Sequence, residues 1–437
     1  MEADLVSLSV IALVAFLSPL VAQNIPGKPV PETVLLLVGG MLCGPHVAGA
    51  IATDSAVGLL SDLGLGFLFL LAGYEINPST ITGAEGRRGL ATWAVTFAIA
   101  CGAVILWPKF DLLGFDGLAV AIALTTTAIG TLLPILAERG LMGTRVGEEV
   151  LAYGTWGELA PVIAMTLLLT TRAKWVTVAV LAAFVALAVL AAVIPNHARR
   201  AGSFVFRFIE RNADSNAQMV MRAIMVLLVG LTALSALFSL DIVLGAFAAG
   251  FILRFVVPEG SQGMESKLSA VAFGFFVPLF FVVSGAKVDV TAIAQDPALL
   301  GLFIGLLLVV RMVPVFVALS TGRQSRTMDV RERLSVAFYC TTALPLIVAV
   351  TAVAVDVGAM SQATASVLVA AGGITVLIMP LFAQLAMRGA DAELGCAARE
   401  IAAEPRRTAA ILRAHHRQAS ERVRARKAAR REGLREP

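Results

Sequence analysis

Long apolar runs broken by short polar loops make up most of this chain. Taking about 20 consecutive apolar residues as the length that crosses a bilayer as a helix, the runs fall at 5–22, 30–44, 57–74, 90–107, 118–137, 149–170, 175–194, 219–238, 241–257, 268–285, 298–319, 333–355 and 363–386. They predict thirteen transmembrane helices, joined by loops too short to hold a soluble domain before the tail. Several runs carry Pro or Gly midway, which a membrane helix tolerates where the freed backbone groups find protein or water partners. The first run follows Glu2 and Asp4 and lacks a basic leader, so it reads as a span and not as a signal peptide.

The runs also repeat. FLFLLAGYEINPSTI in span three aligns with PLFFVVSGAKVDVTAI in span ten, matching Gly73 to Gly285 and Ile81 to Ile293. Gly39 and Gly44 in span two have the same spacing as Gly245 and Gly250 in span nine. Span five carries TTTAIGTLLPIL (Thr125–Leu136) and span twelve TTALPLIV (Thr341–Val348), each a Thr cluster followed by Pro. Each pair lies seven spans apart, and an odd offset puts the halves in opposite orientation. The predicted fold is therefore all-α and polytopic, an inverted-topology repeat with two interrupted helices that cross near the membrane midplane. Repeat one covers 5–170, a linker helix 175–194 and repeat two 219–386. Together, 1–386 form one transmembrane domain, with a basic tail at 387–437. The hydroxyls of Thr126, Thr127, Thr341 and Thr342 can supply oxygen ligands, while Pro134 and Pro345 each free a carbonyl a turn earlier. The plainer reading is that these residues only kink ordinary helices.

Two charges interrupt the apolar pattern. Glu158 lies within YGTWGELAPVIA (Tyr153–Ala164), and an acidic residue near mid-span costs roughly 2.5 to 3.5 kcal/mol on insertion scales, so it is expected to face a bundle interior, a wet cavity or a partner charge. Arg311 stands alone in LLLVVRMVPVF. Either it is a fixed counter-charge to Glu158, because a guanidinium keeps its proton, or it reaches an interface and is structural. Glu75 and Lys287 follow the equivalent glycines, as interface anchors or as part of an ion funnel. Glu148 and Glu149 start span six, where carboxylates complement the helix dipole. His46 and His197 lie in loops with no neighbours suited to a metal.

Composition fixes the solvent for this reading. The chain has 437 residues, 58% hydrophobic and 15% charged, and a mean hydropathy of +0.86, against about 25% charged for a soluble domain. Cys43, Cys101, Cys340 and Cys396 form no CxxC pair, which suggests neither a disulfide framework nor zinc. With the N-terminus outside, the outer loops hold only Lys109, Arg172, Lys174 and Lys287. The remaining loop cations, from Lys28 to Arg333, face inward. The tail then lies in the cytoplasm, either solvated or resting on anionic lipid headgroups. No GxGxxG follows a strand, so no nucleotide-binding domain is expected. Nor is there an HExxH or any nucleophile with a matched base, which argues against an enzyme.

The order TTTAIGTLLPILAERG, GEEVLAYGTWGELAPVIAM, LDIVLGAFAAGFIL and VPLFFVVSGAKVDV resembles the monovalent cation:proton antiporter superfamily, specifically the sodium/hydrogen exchanger domain in its Kef-type branch, over residues 5–386. The resemblance implies a dimerisation domain and a core domain that move against each other, with Thr126 and Thr127 at the helix crossing. It also implies a homodimer in the cell membrane, with no nucleic acid partner and no cofactor beyond the transported Na+ or K+ and H+. Relatives carry a polar or acidic residue and then Asp in the sixth span, where this chain has Gly157 and Glu158. The implied function is antiport by alternating access, with Glu158 as the shared proton and cation site. The other reading is a non-exchanging relative that conducts ions or acts as a sensor.

Overall fold

A computed structural model describes residues 2–24, 30–53, 55–75, 83–107, 115–168, 219–237, 242–256, 262–322 and 328–391. The linker helix 175–194, His197 and the tail from residue 392 lie outside the described residues. Among the described residues the regular structure is entirely helical. Eight of the described helices are long and apolar enough to cross a membrane, and three shorter apolar helices accompany them.

In chain order these are α1 (Glu2–Asn24), α2 (Glu32–Cys43), α3 (Ser55–Glu75), α4 (Ala84–Ile105), α5 (Phe115–Leu124), α6 (Ile129–Glu138), α7 (Arg145–Leu168), α8 (Met219–Leu237) and α9 (Ile242–Val256). Next come α10 (Gln262–Val271), a π-helical turn (Ala272–Phe276), α11 (Val277–Ala286), α12 (Val290–Gln295), α13 (Pro297–Leu307), a second π-helical turn (Leu308–Met312) and α14 (Val313–Thr321). The last are α15 (Val330–Tyr339), α16 (Leu344–Asp356) and α17 (Gln362–Asp391). Every predicted span except 175–194 coincides with one of these stretches. The final helix continues to Asp391 instead of stopping at residue 386.

The glycines that revealed the repeat, and Gly40 beside them, turn out to be packing surfaces. A Cβ on Gly40 or Gly44 would strike the backbone of Val282 or Ala286, and one on Gly285 would strike Leu37, so α2 and α11 lie backbone to backbone. Gly73 meets Phe247 and Gly250 meets Leu70 in the same way, bringing α3 against α9. In lipid, where apolar side chains gain little by leaving the solvent, close approach over small residues is a main source of helix association. Each half thus supplies one helix to each of the two tight pairs.

Both predicted interruptions are present. The first runs from Thr125 to Ala128 between α5 and α6, and the second from Cys340 to Ala343 between α15 and α16. The threonines account for the first. Thr125 and Thr126 turn their hydroxyls onto the carbonyls of Ile122 and Ala123, at 2.7 and 2.8 Å. Such bonding competes with the helical ladder. Pro345, at the start of α16, loses no bond by lacking an amide there. Pro134 lies inside α6, beyond the first interruption, and its side chain lies outside the described residues.

Candidate functional site

The two interruptions touch. The Ala128 amide donates to the Thr342 carbonyl at 2.8 Å, and the Thr127 amide to the Gly157 carbonyl of α7 at 2.8 Å. The Thr127 hydroxyl donates to the Cys340 carbonyl at 2.5 Å. Backbone groups that leave their own helices are thereby satisfied by the other interruption or by α7, as a membrane interior demands. Thr126 and Thr341 are buried and spend their hydroxyls within their own helices, Thr341 on the Ala337 carbonyl at 2.8 Å. The Thr342 hydroxyl is buried with no hydrogen-bond partner among the described residues.

Arg311 enters this crossing from the π-helical turn and is 1% exposed, so it does not reach an interface. Its Nε donates to Thr127 Oγ1 at 2.9 Å and to the Cys340 carbonyl at 3.4 Å, and its Nη2 to the Tyr153 carbonyl at 2.9 Å. Among the described residues its bonds go to a hydroxyl and two carbonyls, and none goes to Glu158. Gly154 and Gly157 give α7 a smooth face toward the first interruption, Gly154 against Ile129 and Gly157 against Thr127 and Arg311.

Glu158 follows that face and lines a cavity of about 570 Å³. Ala128, Gly130, Thr131, Phe69, Phe281, Pro345 and Leu346 also line it, and it extends to Glu32, Arg139 and Gln384 at one end of the bundle. The first amide of α6, on Ile129, faces the carboxylate, and Glu75 at the end of α3 lies within electrostatic reach. A helix start offers unpaired N–H groups and a partial positive charge, both of which suit an anion. Pro134 leaves the Gly130 carbonyl, in the cavity wall, without its helical donor.

A second cavity of about 440 Å³ opens at the opposite end, lined by Ser61, Asp62, Lys287, Asp356, Gln362 and Ser366 among others. Lys287 therefore belongs to a cavity wall. Arg139, which sequence reading counted only as a loop cation, spans helices. Its Nη1 donates to Tyr339 Oη at 3.1 Å and to the Pro380 carbonyl at 2.8 Å. Its place just after an apolar helix was the one signal. No group of three or more His, Cys, Asp or Glu side chains suited to a metal occurs among the described residues. His46 lies 3.8 Å from Asp289.

Comparison with known proteins gives a consistent result. YjbQ of Bacillus subtilis, which bears a Na+/H+ antiporter name, is 25% identical over 397 residues, covering 86% of this chain and 62% of that protein. The high-affinity Na+/H+ antiporter NhaS3 of Synechocystis is 25% identical, with 61% of this chain and 59% of that protein covered. A glutathione-regulated potassium-efflux system protein of Haemophilus influenzae is 25% identical over 58% of this chain and 41% of its own length. The chain thus spans less than two thirds of each of these three relatives. The sodium proton antiporter MjNhaP1 of Methanocaldococcus jannaschii shares the fold, with a TM-score of 0.59 at 16% identity over 86% of this chain and 98% of that one. The family profile "Sodium/hydrogen exchanger, transmembrane" matches residues 11–388, and this multi-pass membrane protein belongs to that family, one of transporters and not of enzymes.

Proposed function

We propose that the protein is a secondary antiporter that exchanges a monovalent cation, Na+ or K+, for protons by alternating access, with Glu158 as the shared site. The observation that carries this reading is the Glu158 carboxylate lining a solvent cavity beside the crossing of two interrupted helices. A single partly desolvated carboxylate holds either a proton or a cation, and competition between the two is the elementary step of exchange. The Gly130 carbonyl and water complete the ligand sphere in this scheme, while Thr126, Thr127, Thr341 and Thr342 hold the crossing in shape. Arg311 is a fixed positive charge nearby, which makes one proton per cation the simplest balance. The names borne by the relatives, for Na+/H+ antiport and potassium efflux, support the ion class.

The same reading makes 5–170 and 219–386 the two inverted repeats and puts the N-terminus outside and the C-terminus in the cytoplasm. The Glu158 cavity then opens inward and the Lys287 cavity outward. The test is proton flux in proteoliposomes with a fluorescent pH probe on addition of Na+, K+ or Li+. Cation-evoked dequenching is expected, abolished in Glu158→Gln and retained in part in Glu158→Asp. Undiminished exchange in the Gln variant would remove Glu158 from the mechanism, and no exchange in the wild type would leave a conducting or sensing relative.

A further inference from the structure

Position 157 has no room for a side chain. A Cβ built there would overlap Arg311 Nη2 and press on Thr127, at 2.6 Å from Oγ1 and 2.7 Å from its Cβ. Neither neighbour is free to retreat. The guanidinium is buried and held by Thr127, Tyr153 and Cys340. Thr127 is held at its amide by the Gly157 carbonyl and at its hydroxyl by the Cys340 carbonyl. The glycine and the guanidinium therefore divide one space between them, one residue before Glu158. The π-helical turn at Leu308–Met312 contributes, because a wider turn re-aims the side chains it carries, and such turns recur at functional positions.

We propose that Gly157 and Arg311 act as one positioning unit. The glycine is the socket that admits the guanidinium. The guanidinium bolts α7, which carries Glu158, to both interruptions through Tyr153, Thr127 and Cys340. Residue 157 then governs exchange through Arg311 and not by touching the ion. The functional half of this inference rests on the antiport reading; the packing half does not.

A double-mutant cycle on the full chain tests it, with Gly157→Ser, Arg311→Lys and the pair measured for melting temperature in detergent and for Vmax, apparent KM and pH profile in proteoliposomes. A lysine ammonium lacks the second arm of the fork and leaves space beside Thr127. Each single change is expected to lower Vmax roughly tenfold and shift the pH profile, and the pair to lose clearly less than the product of the two. Wild-type exchange in Gly157→Ser, or strictly multiplicative losses, would overturn the unit. So would a lower melting temperature with Vmax, KM and pH profile all unchanged, because that is a merely structural glycine. If Glu158→Gln, run alongside, exchanges normally, the antiport role of Glu158 fails instead, and coupling in the melting data still decides the packing claim.

Discussion

Thr127 and Thr342 are matched residues of the two interruptions, yet their hydroxyls have opposite fates. Thr127 Oγ1 donates to Cys340 and accepts from Arg311, while Thr342 Oγ1 has no partner among the described residues. Valine is nearly isosteric with threonine, so the substitution isolates the hydroxyl. Thr127→Val leaves a buried carbonyl and a guanidinium N–H short of partners and is expected to cost about 1–3 kcal/mol. Thr342→Val removes an unpaired buried polar atom and is expected to be neutral or stabilising. Melting of the purified variants in detergent checks both, and equal losses would show the two hydroxyls to be equivalent. The sequence made these threonines look alike because a repeat aligns residues, not surroundings. What breaks the symmetry is Arg311, supplied by one half only. Its direction depends on a π-helical turn that apolar periodicity does not announce. Glu158 was legible because a carboxylate in an apolar run stands out, whereas its place under the Ile129 amide required the interruption to be located to the residue.

At the scale of elements, the Thr-Pro patterns correctly marked spans five and twelve as interrupted, but the break comes where threonine hydroxyls capture carbonyls, ahead of Pro134. The motif glycines were equally visible, while their use was not, since a spacing of five says nothing about which helix lies opposite. Gly250 faces the Leu70 carbonyl, and Gly301 has nothing within 4 Å among the described residues. Gly250→Val is expected to force α3 from α9 at about 1–3 kcal/mol, the usual cost of overpacking. Gly301→Ala adds no clash and gains up to about 1 kcal/mol of helix propensity. Melting temperatures should move in opposite directions. At the start of α12, Asp289 accepts from the Thr291 hydroxyl at 2.6 Å and from the amides of Thr291 and Ala292 at 2.9 and 3.2 Å. These bonds, the Thr291 hydroxyl foremost, hold the Asp289 carboxyl below the usual carboxylate range. A group with a depressed folded pKa stabilises above its unfolded pKa, and the gain is lost as pH falls through the folded one. Asp289→Ala should therefore melt below the wild type at neutral pH, with the gap closing once the pH drops below about 4. A gap that persists unchanged at low pH would mean the carboxylate charge contributes nothing.

On the scale of the whole molecule, the all-helical membrane fold and its interruptions were legible from apolar length and matched motifs, and the two cavities were not. A hydropathy window cannot say which helix faces meet protein and which leave water-filled space. The same helices line both cavities: α3 turns Asp62 and Leu65 to one and Phe69 and Ala72 to the other, and α16 turns Val348 and Asp356 to one and Leu346 to the other. Apolar side chains line both where they approach the middle of these helices, Leu65 and Phe280 in one cavity and Phe69 and Phe281 in the other. Two cavities lined by the same helices from opposite ends, with the carboxylate in one of them, fit a molecule in which small movements of packed helices change the side from which Glu158 is reached. Single cysteines report this directly once Cys43, Cys101, Cys340 and Cys396 are replaced. Thr131→Cys, in the wall of the Glu158 cavity, should react with a membrane-impermeant maleimide only from the cytoplasmic side, and Asp356→Cys only from the outside. Reaction of both from the same side would overturn the proposed orientation of the cavities. Saturating transported cation should change the Thr131→Cys rate severalfold by redistributing the two states. The same addition in the Glu158→Gln background should leave the rate unchanged, since a carboxamide no longer exchanges a proton for the ion.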